Sequence, residues 1–434
     1  MKVLMFGWEF PPHISGGLGT ACDGLTKGLA KHQVEVLFVM PSASGDEDES
    51  AVQIINASDV VAFQTKEEAR TMFEKVQFLK VTSNLIPYLG PDEFTEQVDL
   101  AREEEWNNFK ISFGNKYKFS GKYGANLMEE VMRYALVASA IARQHTFDVI
   151  HAHDWLTNMA GIAAKRVSGK PLVIHVHATE YDRTGEDVNQ QVYDLERRGM
   201  EAADRIIAVS DLTRNTIINK YHIPPEKVVT VHNAVDFSAV EDRTVNRAVP
   251  EKIVTFLGRI TYQKGPEYFI EAAYKVLQKT KNVRFVMAGS GDMFHRSVRR
   301  VAKLGISSHF HFTGFLRGED VKNMFAYSDV YVMPSVSEPF GISPLEAMRA
   351  GVPAIISKQS GVAEVLQHAI KVDFWDVNAL ADAIYGLLTY NALRSMTIRY
   401  GLEEVNALKW DHAAAKVEKI YRTVLEESLK KSNV

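Results

Sequence analysis

Arg259 and Lys264 stand five positions apart in FLGRITYQKG, just after an apolar, strand-like run. Two cations on one loop suit a pyrophosphate, which arginine engages bidentately and lysine meets as a point charge. A solvated surface pair is the other reading. Further on, EPFGISPLEAMRAGVP carries Glu338, then Gly341, Ile342 and Ser343, then Glu346 eight positions after Glu338. Backbone amides at the start of the helix expected there would form an anion nest. Nearer the start, Gly16-Gly17-Leu18-Gly19 follows the first apolar run. Glycine lets a backbone approach a phosphate or sugar with no Cβ in the way, although a tight turn needs no more than this either. A helix expected to begin near Thr20 would aim its amides at the same spot.

Histidines supply the remaining chemistry. HAHDW places His151 and His153 on one strand face, with Asp154 at the strand end, and IHVHATEYDR repeats the pattern with His175 and His177. Such i, i+2 pairs on core strands serve as structural or substrate-facing groups more often than as metal ligands, so no metal is expected. The dinucleotide fingerprint is missing. GGLG lacks the G-x-G-x-x-G spacing, and no acidic residue ends the second strand, Glu35–Met40.

These residues need strands to present them. Apolar runs at Lys2–Trp8, Glu35–Met40, Val76–Val81, Asp148–His153, Leu172–Ala178, Arg205–Val209 and Val228–His232 alternate with helical patterns. The series restarts at Ile253–Leu257, Arg284–Ala288, His309–Thr313, Val330–Met333, Ala354–Ser357 and Ile370–Asp373. Runs apolar throughout indicate parallel strands buried on both faces, hence doubly wound α/β architecture. The polar stretch 236–252 reads as a linker between two domains. In such sheets, ligands bind beyond the carboxyl ends of the strands, where each of these motifs falls. The acidic run SASGDEDES (42–50) reads as a solvated loop. The aromatic stretch 85–125 is either a substrate-facing loop or packing over a sheet edge.

Composition narrows the classes. A chain of 434 residues exceeds one comfortable core, so two domains are expected. A net charge of −4 provides no basic field for nucleic acid. With Cys22 the only cysteine, no intramolecular disulfide or zinc–cysteine cluster is possible. No membrane span or signal-peptide cleavage site is expected, and a cytoplasmic location fits.

The motifs GGLG, HAHDW, HNAVD, GRITYQKG, AGSGD, TGFL and EPFGISPLEA run in order over essentially the whole chain. Together they resemble the retaining nucleotide-sugar glycosyltransferases of the GT-B fold, family four, with features of glycogen and starch synthases. The resemblance implies two Rossmann-like domains facing a central cleft: an acceptor domain over 1–240 and a donor domain over 241–410. A C-terminal helix over 411–434 would cross back onto the first domain. It further implies that Arg259 and Lys264 bind the donor pyrophosphate and that Glu346 accepts from the ribose hydroxyls. Glu338 and the Phe340–Ser343 backbone would hold the transferred sugar and distal phosphate. His177 would lie against the donor sugar. Asp154 and Asn233 would contact sugar, Gly16 and Gly17 the phosphate, and the Phe315–Leu316 backbone the base. Ile14 stands where synthases of the ADP-glucose type carry lysine.

The implied reaction moves a hexose, glucose first among them, from UDP- or ADP-glucose to a carbohydrate acceptor such as a growing α-1,4-glucan, with retention and without a cofactor. Sucrose- or trehalose-type transfer, cell-envelope transfer, a sugar-nucleotide epimerase and a non-catalytic sugar-binding paralogue are the alternatives. Acceptor-dependent release of nucleoside diphosphate separates transfer from the last two. The donor base, the acceptor and the oligomeric state are not readable from the sequence.

Overall fold

The computed structural model describes residues 1–14, 16–62, 116–124, 126–235 and 249–432. The Val76–Val81 strand, residues 85–115 of the aromatic stretch and most of the 236–252 linker lie outside the described residues. Two compact units emerge. The first comprises Met1–Tyr181, Gly185–Ala234 and Trp410–Val434, and the second Asp182–Thr184 and Val235–Lys409.

The first unit is built on a seven-stranded parallel sheet in the order β3-β2-β1-β4-β5-β6-β7. Its strands are β1 (Lys2–Phe6), β2 (Glu35–Met40), β3 (Gln53–Asn56), β4 (Val149–His153), β5 (Leu172–Val176), β6 (Arg205–Ala208) and β7 (Val228–Thr230). β1, β4 and β5 are almost wholly buried, which is what a run without polar alternation requires of a strand covered on both faces. β3 was not expected from the sequence. It is four residues long, sits at the sheet edge and is only half-buried, so QIIN shows neither a long apolar run nor clean alternation.

The aromatic stretch is resolved in part by its described end. Tyr117 and Phe119 are buried in the core of this unit, so that end packs instead of facing solvent. The acidic loop is mostly exposed, as expected, and ties to its neighbours through Asp46, whose carboxylate lies 2.8 Å from His13 Nε2.

The helix Gly17–Lys31 starts at the glycine pair itself, three residues earlier than the expected Thr20, with Gly16 as its N-cap. Its far face receives the C-terminal helix Trp410–Ser432. A Cβ at Gly24 would lie 2.1 Å from Trp410 Nε1, so glycine there makes the groove into which the indole fits. The last helix thus belongs to the first unit although the preceding 175 residues, Val235–Lys409, form the second.

The second unit carries a six-stranded parallel sheet in the order β10-β9-β8-β11-β12-β13. These are β8 (Lys252–Leu257), β9 (Val283–Ala288), β10 (Phe310–Gly314), β11 (Val330–Met333), β12 (Ala354–Ser357) and β13 (Ile370–Val372). Each sheet reverses its winding direction once, between β1 and β4 in the first and between β8 and β11 in the second. Loops at such a switch point diverge and leave a crevice at the strand ends. Among the described residues, no helix is long and apolar enough to cross a membrane.

Candidate functional site

In the second unit, the switch point holds the cations. Leaving β8, the chain passes Gly258 and Arg259, then makes a short 3-10 turn, Tyr262–Lys264. Arg259 is half-buried, and its Nη2 donates to Gln263 Oε1 at 3.3 Å. Lys264 Nζ donates to Glu338 Oε2, on the loop that leaves β11. Glu338 is only 7% exposed, so an unpaired carboxylate there would be costly, and the lysine satisfies it. Ser335 Oγ adds a longer bond of 3.4 Å to the same carboxylate oxygen.

Backbone bonds weld the surrounding loops together. Gly289 N donates to Gly314 O at 2.8 Å, and Ile260 N to Ser290 O at 2.8 Å, joining the turns after β8, β9 and β10. Gly289 has φ 145°, and a Cβ there would lie 1.8 Å from Gly258 O, which accounts for the glycine in AGSGD. On the other side, Val362 N donates to Phe340 O at 2.8 Å and Gly361 N to Glu338 O at 2.8 Å.

The expected donor-binding residues are placed as follows. The Phe340 side chain is buried and its carbonyl accepts from Val362 N. Gly341 adopts φ 99°, turning the chain into the helix Ser343–Arg349 with Ile342 as N-cap. Glu346, in the first turn, is half-buried, and desolvation raises its carboxyl pKa. Buried Tyr331 on β11 has its phenol pKa raised by burial first and by the charges of Glu338 and Glu346 after it. Phe315 follows β10 with 49% of its surface exposed and the Arg317 guanidinium 5.1 Å from its ring centroid, and Leu316 beside it is half-buried.

In the first unit, Asp154 ends β4 at φ 58°, a left-handed conformation in which the carboxylate reaches the end of β5. Its Oδ1 accepts from His177 N at 2.6 Å and from Ala178 N at 3.3 Å. Asp154 therefore shapes the turn that carries His177. The four histidines form a stack. Ring centroids lie 4.4 Å apart for His151 and His153 and 4.3 Å for His175 and His177, with planes 18° and 26° apart. His153 Nδ1 lies 2.9 Å from His177 Nε2, and His151 Nδ1 lies 2.5 Å from the Tyr421 hydroxyl on the C-terminal helix. Burial lowers all four imidazole pKa values, those of His151 and His177 to about 3, which favours the neutral rings.

Nitrogens of His151, His153 and His175 lie within 4.8 Å of one another. A metal binds in the plane of each imidazole at about 2.0–2.1 Å. The His151 and His153 rings are stacked 4.4 Å apart, and four of the six nitrogens of these three residues (His151 Nε2, His153 Nε2 and both of His175) make no hydrogen bond.

Gly16 and Gly17 are exposed. Gly16 has φ −166°, open to any residue, and a Cβ there would meet no described atom within 4 Å. At Gly19, by contrast, a Cβ would lie 2.3 Å from Ile14 Cγ2. Ile14 therefore packs onto the helix. Asn233 is buried after β7, separated from β5 by β6, and is not brought to the histidines by the sheet order.

Three groups escaped the sequence reading. Tyr421 lies 270 positions from His151, and Gln263 resembles any polar turn residue. Glu9 is buried and its Oε1 accepts from Gly19 N at 3.4 Å, beside the helix start. Only its place just after a strand, in WEFPP, marked it.

Comparisons with known proteins agree with this anatomy. Residues 239–404 match the family model for "Glycosyl transferases group 1", and residues 115–239 match that for "Glycosyltransferase Family 4". An uncharacterized glycosyltransferase of Methanocaldococcus jannaschii is 28% identical over 98% of this chain and 99% of its own. A glycogen synthase of Mycobacterium tuberculosis is 24% identical over 97% of this chain and 94% of its own. The structure of sucrose-phosphate synthase from Thermosynechococcus elongatus superposes with TM-score 0.72 at 19% identity, covering 98% and 99% of the two chains. The two family models run without a break from residue 115 to residue 404, and the chain belongs to the family-four, group 1 glycosyltransferases of the GT-B fold.

Proposed function

We propose that this chain is a retaining hexosyltransferase that moves glucose from UDP- or ADP-glucose to a carbohydrate hydroxyl, with the end of an α-1,4-glucan as the first acceptor to test. One observation carries the reading. Lys264 and Arg259 stand on the loop leaving β8, and Glu338 on the loop leaving β11, so two cations and a carboxylate come together at the switch point of the second unit. A pyrophosphate needs the first and a sugar the second.

In the proposed reaction, the bond between the anomeric carbon and the β-phosphate oxygen breaks, and its electron pair stays on the phosphate. The acceptor oxygen bonds to the anomeric carbon on the same face, and its proton passes to a phosphate oxygen. No protein nucleophile takes part. Arg259 and Lys264 stabilise the charge growing on the leaving phosphate, already placed and with no reorganisation. Glu346 accepts from the ribose hydroxyls, and exposed Phe315 stands after β10, where the backbone would read the base. In the first unit, the open space over Gly16 supports a role in approach to a ligand, because the protein itself does not demand glycine there.

The test is a panel of UDP-, ADP- and GDP-sugars, each incubated with and without glycogen or a sugar phosphate, with nucleoside diphosphate release as readout. Release that depends on acceptor, with an α-linked product by NMR, is the expected result. Release without acceptor, or a β-linked product, overturns the proposal.

A further inference from the structure

His177 has one ring nitrogen committed inside the protein. Its Nε2 lies 2.9 Å from His153 Nδ1, and its ring is stacked on His175. His177 itself is half-buried, so its remaining nitrogen, Nδ1, is the one left for a ligand. Which of the two neutral rings donates in the His153–His177 bond decides what that nitrogen can do.

The far side of His153 settles the choice. His153 has no exposed surface, and its Nε2 is buried without a hydrogen-bond partner. If His177 donated, His153 Nδ1 would be the bare acceptor, and the proton of His153 would sit on Nε2 as a buried, unpaired N–H. If His153 donates from Nδ1, its Nε2 is a bare lone pair. Each buried N–H without a partner carries a desolvation cost; His175, with both ring nitrogens buried and unpartnered, already bears one, and donation from His153 Nδ1 avoids a second in the same stack. We infer that His153 is a positioning residue: it donates from Nδ1 to His177 Nε2, and thereby holds His177 in the Nδ1–H tautomer, with a hydrogen-bond donor facing the ligand.

The consequence is chemical. An imidazole in this state offers a neutral donor to a sugar or phosphate oxygen and does not act as a base through the same atom. The inference rests on the reading of His177 as a substrate-facing group.

Two measurements keep the tautomer and the function apart. Long-range 1H–15N correlation on histidine-labelled full-length protein, with His177 assigned by comparison with His177→Asn, reads the tautomer whether or not activity is found. The expected result is Nδ1–H for His177 in the wild type and loss of that preference in His153→Leu. Nε2–H or an imidazolium in the wild type overturns the inference.

The second measurement is turnover of the productive donor and acceptor pair by three folded variants. An asparagine amide nitrogen can take the place of Nδ1, whereas glutamine places its amide near Nε2. His153→Asn should stay within about threefold of wild-type kcat, while His153→Gln and His153→Leu fall by about tenfold, the worth of one hydrogen bond. Packing alone would favour glutamine, the closer match in volume, so equal loss in all three variants, or rescue by glutamine only, overturns the inference. A correct tautomer together with no transferase activity in any variant would leave the positioning role standing and remove the proposed function.

Discussion

Lys264 and Glu338 form an ion pair that joins the loop after β8 to the loop after β11. In the proposed reaction, the donor pyrophosphate competes with this carboxylate for the same ammonium. Lys264→Ala and Arg259→Ala should each lower kcat by at least about two orders of magnitude, the effect of losing one donor to developing charge. Steady-state kinetics decide it, and near-normal turnover in both variants removes the assignment.

Gly16 and Gly19 separate ligand approach from packing. Gly16→Ala adds a methyl group in open space and should leave Tm unchanged while weakening donor binding or turnover several-fold. Gly19→Ala drives its methyl group into Ile14 and should destabilise the fold by about 1–3 kcal/mol. Thermal melts and kinetics on the two variants check the contrast, and Ile14→Ala should recover part of the stability lost at Gly19.

Glu346 titrates above the ordinary carboxylate value of about 4.3, because burial disfavours its charge. On the proposed reading, a ribose diol donates to the ionised form of Glu346, so protons compete with the nucleotide. Donor KM should therefore rise with falling pH earlier than an exposed glutamate would produce, and Glu346→Gln should abolish this acid limb while raising KM throughout. His177, at about 3, contributes no limb between pH 5 and 8.

The same group makes a stability prediction of opposite sense. Its folded pKa is raised, so the folded state binds the proton more tightly than the unfolded chain. Stability at this site is greatest below the unfolded value and falls as pH rises through the folded one. Glu346→Gln should then be neutral or stabilising at pH 7 in a urea melt, even where it weakens donor binding as proposed. A destabilised Glu346→Gln would show the carboxylate to be a structural acceptor.

The groove at Gly24 is testable in the same way. Gly24→Ala places a methyl group against the Trp410 indole and should loosen the C-terminal helix from the helix Gly17–Lys31, at a cost of about 1–3 kcal/mol. Trp410→Ala relieves that clash, so the double variant should lose less than the sum of the single variants. Additive losses would mean that the two residues do not share this contact.

Much of the anatomy was legible because it is local. Short apolar runs without polar alternation marked twelve of the strands now seen, and the glycine-rich or charged motifs that follow them fall at the strand ends. β3 was not legible, since a half-exposed edge strand of four residues has no periodicity to read. Among the candidate residues, Arg259, Lys264 and Glu338 of the second unit and His177 of the first were marked by residue type and by their place after a strand. Their partners were not. Nothing in FLGRITYQKG indicates that Lys264 rests on Glu338, and nothing in HAHDW indicates that His151 meets Tyr421.

By itself, then, the sequence determined the two series of parallel strands and the placement of cations, carboxylates and glycines after them, because hydrophobic burial and chain direction are written in neighbouring residues. Only the tertiary structure decided which groups pair, which of the stacked histidines is half-exposed and which glycine faces open space. Those properties depend on the distance between residues far apart in the chain, and on the desolvation that sets their charge.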